Sequence, residues 1–184
     1  MTSAARRLGL LGGECTGKST LAGQLAEALK GCLVEEYLRE FVDAIGRPPT
    51  REEQVGILHS QQVREDEAAG ECATGMVVAD PAVLMTAVYS IAYFDDDSLV
   101  DDAVALASGY DLLVWCDTDL PWQADGAQRD GPDYRQREHE IIAAIVEDRL
   151  RPAGIDVVLV RGRQEERLAA AVRAWQPRPP RPPT

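Results

Sequence analysis

The chain has 184 residues, is 45% hydrophobic and 27% charged, and carries a formal net charge of −12. This composition suits a folded globular chain rather than a disordered or fibrous one, and at roughly 150 residues per domain it predicts one domain over residues 1–175 followed by a proline-rich tail at 176–184. The acidic balance argues against nucleic acid as a partner, and the absence of a spanning apolar run or a signal-peptide h-region argues against a membrane and for the cytoplasm, with a homo-oligomer left open.

Taken in chain order, apolar runs bounded by glycine or acidic residues fall at Leu8–Leu11, Cys32–Val34, Met76–Ala79, Leu112–Cys116 and Val157–Val160. Continuous rather than alternating apolarity predicts strands buried on both faces, hence a parallel sheet covered by helices. Helical periodicity appears between them. Lys18–Lys30 carries Leu21, Leu25, Ala28 and Leu29 on one face, Thr50–Ala69 opens on a capping box formed by Thr50 and Glu53, and Arg137–Leu150 and Gln164–Trp175 repeat the pattern. Regular alternation of strand and helix predicts a three-layer α/β fold. The run Asp95-Asp96-Asp97 before Ser98 reads as the acidic entry to a helix rather than a metal cluster. Cys15, Cys32, Cys72 and Cys116, with His59 and His139, show no close ligand pairs for zinc, so free thiols in a reducing compartment are expected.

The stretch between the first strand and the first helix is Gly12-Gly13-Glu14-Cys15-Thr16-Gly17-Lys18-Ser19-Thr20. This is G-x-x-x-x-G-K-S in the strand–loop–helix setting that a phosphate-binding loop requires. Glycines let successive backbone N–H groups curl around phosphate oxygens, and the helix N-terminus adds partial positive charge. Lys18 reaches the β and γ phosphates, the Ser19 hydroxyl ligates Mg²⁺, and a nucleoside triphosphate is the expected occupant. The loop lacks the G-x-G-x-x-G of a dinucleotide fold, which disfavours a hydride carrier.

In an open parallel sheet the ligand lies at the carboxyl ends of the strands, occupied here by Glu35, Glu36 and Tyr37, then Asp80, then Asp117, Thr118 and Asp119. Asp80 reads as a carboxylate that supports Mg²⁺ or accepts the proton of an attacking hydroxyl, or else as the cap of the following helix. Glu36 with Arg39 and Glu40 suits recognition of sugar hydroxyls, or is a surface ion pair. Residues 119–138 carry Arg129, Arg135 and Arg137 in a glycine- and proline-rich stretch, expected to be a lid that excludes water or a solvated charged loop.

Four stretches together, GGECTGKST, EEYLREFV, VVADPAVLMTAVYS and LPWQADGAQRD, resemble the nicotinamide riboside kinase domain of bifunctional bacterial regulators of NAD synthesis, over Arg7 to Trp175. The resemblance implies a P-loop kinase with a five-stranded parallel sheet and a lid, using ATP and Mg²⁺ to phosphorylate the riboside 5′-hydroxyl. It implies that Glu36, Tyr37, Arg39 and Asp80 line the riboside and phosphate site. Tyr93 would stack on the nicotinamide ring, Trp122 of the P-W element would join the substrate residues, and Arg129 would be the lid arginine. The family pattern would put an acidic residue where Ala82 stands and an aromatic where Glu35 stands. Unlike those multidomain proteins, the chain is expected to be the kinase module alone, without an adenylyltransferase or DNA-binding domain, so their regulatory roles do not carry over. The expectation is a kinase in which Lys18 and the loop amides hold the triphosphate, Ser19 and Asp80 arrange Mg²⁺, Asp80 or Glu36 handles the hydroxyl, and Arg129 with Arg135 closes over the transfer. The alternatives are another nucleoside or nucleotide kinase, or a nucleotide-regulated binding module.

Overall fold

Each of the five apolar runs becomes a strand in the computed structural model of the chain, which describes residues 5–122 and 131–175. The strands are β1 (Arg6–Leu11), β2 (Cys32–Glu35), β3 (Met76–Asp80), β4 (Leu112–Cys116) and β5 (Val157–Val160). All neighbours pair in parallel, in the order β2-β3-β1-β4-β5, with Leu8 opposite both Val78 and Leu112. The carboxyl ends of β3, β1 and β4 therefore lie side by side. Connecting them are α1 (Lys18–Leu29), α2 (Tyr37–Ile45), α3 (Gln54–Glu71), α4 (Leu84–Phe94), α5 (Val100–Ala107), α6 (Pro132–Ile145) and α7 (Gln164–Trp175).

Alternate strand residues serve opposite faces, which is why every strand position must be apolar. Leu8, Leu10, Val78, Leu112 and Val114 pack on Leu21 and Leu25 of α1 and on Ala171 and Trp175 of α7. Leu11, Ala79, Leu113 and Trp115 pack on Met85, Val88, Ala103 and Ile142 from α4, α5 and α6. The expected three-layer parallel architecture is present. The expected capping box is present too: the Thr50 N–H donates to Glu53 Oε2 at 2.7 Å, and a 3₁₀ turn over Arg51–Glu53 leads into α3.

Three expectations are corrected. The helix expected from Arg137 begins at Pro132, because proline at the first helical position is pre-set for the helix and Gly131 (φ 95°) makes the turn before it. It then runs on through a π-turn at Val146–Leu150. The Asp95–Asp97 run does not open a helix. Asp95 closes α4 in the left-handed conformation and Asp96 holds Arg51 and the Ser98 N–H, while the first-turn acids of α5 are Asp101 and Asp102. Finally, Cys32 and Cys72 are not free thiols: β2 and the end of α3 pack around Val34 and Val77, and a disulfide joins the two cysteines at a Cα–Cα distance of 5.9 Å. Cys15 and Cys116 are free. No described helix is long and apolar enough to cross a membrane.

Gly9 in the middle of β1 allows a buried polar network. A Cβ there would lie 2.6 Å from that of Ala82 and 2.8 Å from the Tyr110 ring. With hydrogen in its place, Tyr110 crosses the strand, donates to Glu65 Oε2 at 2.6 Å and accepts the Val83 N–H at 2.8 Å. Gln61 Nε2 lies 3.3 Å from Glu65 Oε1. Burial pushes the Glu65 carboxyl up to about 7, against the opposing pull of the Tyr110 hydroxyl and the Gln61 amide. An unfolded glutamate titrates near 4.3. The folded chain therefore binds more protons than the unfolded one between these values, and stability falls as pH rises across that window, to completion above about pH 7. At about 1.4 kcal/mol per unit, the ceiling on the loss is on the order of 4 kcal/mol. Glu65→Gln is expected to flatten the pH 5–8 profile of the unfolding free energy measured by denaturant titration, making the variant less sensitive to pH than the parent; an unchanged slope would mean that Glu65 stays ionised.

Candidate active site

β1 ends at Leu11 and the chain turns at Gly12 (φ 145°), Cys15 (φ 54°) and Gly17 (φ 74°) before α1 begins. The turn leaves no room for side chains at its glycines. A Cβ at Gly12 would sit 2.8 Å from Thr16 Oγ1 and 3.2 Å from Cys116 Cβ, and one at Gly13 would run into the Glu138 carboxylate. Thr16 Oγ1 donates to the Gly13 carbonyl at 2.8 Å and draws the loop closed. α1 begins with neither a side-chain cap nor an acidic residue in its first turn. Its opening N–H groups and its dipole are left for an anion. Glu14 and Cys15 sit half-buried on the loop, and Ser19 and Thr20 are exposed on the first turn of α1.

Lys18 is 8% exposed, and its ammonium donates to Asp80 Oδ1 at 2.9 Å. Asp80, at the end of β3 and joined to Pro81 by a cis peptide, is thereby tied to the phosphate loop. It does not cap the next helix, whose N-cap residue is Val83. From the other side, Arg39 on α2 lies 3.5 Å from Ser19 Oγ and donates to Glu36 Oε2 at 3.2 Å. Glu36 is the N-cap residue of α2, yet its carboxylate makes no cap hydrogen bond. It lies between Arg39 and the half-buried Tyr89, whose hydroxyl is pushed well above the ordinary tyrosine value by burial, then by the Glu36 charge, with a hydrogen bond to Glu36 adding to the shift. The Glu36 carboxylate is thus engaged from two sides, by Arg39 at Oε2 and by the Tyr89 hydroxyl. Lys18, Ser19, Glu36, Arg39 and Asp80 thus converge at the carboxyl ends of β1, β2 and β3. The Ser19 hydroxyl and Asp80 carboxylate form a hard oxygen pair that fits Mg²⁺, and the capless turn with Lys18 fits a polyphosphate.

Other expected residues lie differently. The Tyr37 N–H donates to Gln61 Oε1 at 2.8 Å and its ring faces the Arg64 guanidinium 5.2 Å away, so Tyr37 is engaged with α3. Tyr93, on the last turn of α4, stacks on Tyr134 of α6 with centroids 5.2 Å apart. Arg135 lies on α6 rather than on a loop and donates to the Leu120 carbonyl at 2.9 Å, while Arg137 binds Asp95. Trp122 is half-buried with its Nε1 lacking an acceptor among the described residues. Arg129 lies outside the described residues, as does the proline-rich tail. Ala82, where the family pattern would have an acid, is fully buried against Gly9, so a carboxylate has no room there. Glu35 is exposed at the end of β2.

Two residues escaped the sequence reading. Tyr89 lies within VVADPAVLMTAVYS, and no periodicity marked it, because α4 is apolar nearly all round. Gln61, 2% exposed, accepts the Tyr37 N–H and lies 3.4 Å from the Pro81 carbonyl, linking the start of α2 to the turn that follows Asp80.

A family profile described as an AAA domain matches residues 7–167. The chain is 25% identical over 141 residues to the trifunctional NAD biosynthesis/regulator protein NadR of Escherichia coli strain K12. That alignment covers 73% of this chain and 34% of NadR, so the chain spans about a third of its relative's length. The fold matches a crystal structure of NadR protein in complex with NR, with a TM-score of 0.72 and 21% identity over 93% of this chain and 50% of that one. It also matches NadR in complex with NAD and AMP-PNP (TM-score 0.72, 21% identity, 94% of this chain and 49% of that one). Thymidylate kinase from Candida albicans follows at 0.70 and 14% identity, covering 94% of this chain and 92% of that one. The phosphate loop at the end of β1, the five parallel strands and the match over residues 7–167 agree: the chain belongs to the AAA-domain family of P-loop proteins and has the fold of the P-loop kinases.

Proposed function

We propose that this chain is an ATP- and Mg²⁺-dependent small-molecule kinase that phosphorylates the 5′-hydroxyl of nicotinamide riboside, giving the mononucleotide and ADP. The observation that carries this reading is the meeting of Lys18, Ser19 and Asp80 with Glu36 and Arg39 at one edge of the sheet, a phosphate cradle facing groups that bind hydroxyls. The sequence resemblance to NadR, and the NR bound in a solved NadR, support the choice of acceptor.

In this mechanism the amides from Gly13 to Ser19 bind the phosphates, and Lys18 leaves Asp80 for the β and γ oxygens. Ser19 and Asp80 hold the metal, which when bound neutralises charge on the transferring group. Glu36 accepts hydrogen bonds from the ribose hydroxyls and, with Asp80, provides the carboxylate that takes the proton as the 5′-oxygen bonds to the γ-phosphorus and the bond to the β-phosphoryl oxygen breaks. Arg135 fixes the stem of the lid on Leu120, and Arg129 is the arginine that reaches the transferred group. Tyr93 and Trp122 are the aromatic groups offered to the base, Tyr37 supports the acceptor side through Gln61, and residues 1–175 act as one cytoplasmic kinase domain. A second reading, an acceptor that already bears a phosphate, is favoured by one observation: the guanidinium of Arg39 is largely exposed beside Ser19.

The deciding experiment is ATP consumption with a panel of ribosides and their mononucleotides. Nicotinamide riboside is expected to give the highest kcat/KM; preference for a mononucleotide would select the second reading, and no stimulation by any acceptor would overturn both. Lys18→Ala is expected to lower kcat/KM on the order of 1,000-fold. It also strands the buried Asp80 carboxylate, so the unfolding midpoint should fall, and Lys18→Ala combined with Asp80→Asn should recover the midpoint without the activity. Glu36→Gln is expected to raise the riboside KM on the order of tenfold while the ATP KM stays within about twofold; a rise confined to the ATP KM would move Glu36 to the nucleotide side.

A further inference from the structure

A fully buried guanidinium behind the phosphate loop has no place in the mechanism so far. Arg167, on the first turns of α7, has no solvent exposure. Its Nε donates to the Gly162 carbonyl at 2.8 Å, its Nη1 to the Thr16 carbonyl at 2.8 Å and its Nη2 to the Asp117 carbonyl at 3.3 Å, and Nη2 also pairs with Asp119 Oδ1. Asp119 Oδ2 in turn accepts the Gly162 N–H at 2.6 Å. One planar group therefore ties together the phosphate loop, the end of β4 and the loop entering α7. Burying a guanidinium is costly unless nearly all of its donors find acceptors. Stability alone would be served as well by an apolar residue.

We propose that Arg167 is a positioning residue for triphosphate binding: by holding the Thr16 carbonyl, it sets the orientation of the Gly17 N–H in the phosphate loop. The reasoning is geometric. The only cis peptide among the described residues is Asp80–Pro81, so the Thr16–Gly17 unit is trans. In a planar trans peptide the C=O and the following N–H point in opposite directions. With the Thr16 oxygen fixed on the α7 side, the Gly17 N–H faces the opposite side, where Lys18 and Ser19 open. Gly17 has φ 74°, a region in which glycine is conformationally free, so its own backbone preferences do not fix that plane. The Thr16 hydroxyl on the Gly13 carbonyl holds the Gly13–Glu14 plane in the same manner. Arg167 supplies the external restraint for the peptide that lacks an internal one. The fork geometry matters, because a lysine ammonium cannot span three carbonyls and a carboxylate on different segments.

The proposal rests on the triphosphate-binding half of the function above and not on the identity of the acceptor. Its test compares Arg167→Met and Arg167→Lys with the parent and with Arg173→Met, an exposed position on the same helix. Binding of ATP and of inorganic tripolyphosphate is measured by calorimetry, together with amide hydrogen exchange of the free protein. Arg167→Met is expected to weaken both ligands on the order of tenfold and to speed exchange at Gly17 and Lys18, with β3 and α3 unaffected; Arg167→Lys should fall between it and the parent, and Arg173→Met should match the parent. If Arg167→Met does not fold, Arg167→Lys carries the test with the same signs. Wild-type affinity in the folded variant would overturn the proposal, as would exchange rising uniformly or a loss confined to ATP, which would indicate a base contact instead. Failure of the parent to bind ATP would sink the proposed function, while the exchange experiment would still judge the restraint.

Discussion

The ion pair between Lys18 and Asp80 is the contact on which the candidate site depends. Its two members come from different crossover units and meet only because β3 lies directly beside β1 in the sheet. Neither charge would be tolerated alone at this depth. In the free protein each satisfies the other, so the cradle can be built and kept folded before any ligand arrives. Under the proposed function a triphosphate would compete for the ammonium, and the released carboxylate would become available to the cation that accompanies the phosphates. Ligand binding would thus be an exchange of partners within a buried cluster rather than the creation of charge in an apolar interior.

Around this pair, the sheet and its helices act as supports of graded stiffness. The apolar residues of β1, β3 and β4 fix the strand ends, and packing on both faces leaves them little freedom. A polar layer then sets the finer geometry. Gln61 joins the turn after Asp80 to the first residue of α2, Tyr110 reaches across Gly9 to the start of α4, and Tyr89 stands beside Glu36. Each of these side chains orients a segment that flanks the candidate site.

What was legible in the sequence follows from how directly a residue's role is written into its neighbours. Strands buried on both faces must be apolar at every position, so β4 and β5 were bounded to the residue and the others to within two. The phosphate loop was legible because its chemistry needs particular residues at fixed spacing along one short stretch. α2 and α4 were not named as helices: α2 is only nine residues long with none of them buried, and α4 is apolar nearly all round, so its repeat is masked. Arg167 reads as an ordinary cation on an amphipathic helix, because three of its four acceptors are backbone carbonyls, one of them 151 residues away, and carbonyls leave no trace in the sequence. Tyr37, expected on the substrate side from the resemblance, is held by Gln61, and Arg135, expected as a lid arginine, holds the Leu120 carbonyl; neither contact is written in the sequence.

The bond between Cys32 and Cys72 makes a closed ring of the segment that leaves the sheet at β2 and returns before β3. Glu36, Arg39 and the Gln61 link all belong to this ring. The bond ties the end of α3 to β2 at one edge of the sheet. Reduction would uncouple the far end of α3 from β2, while the phosphate loop, anchored through β1 and β4, would keep its shape.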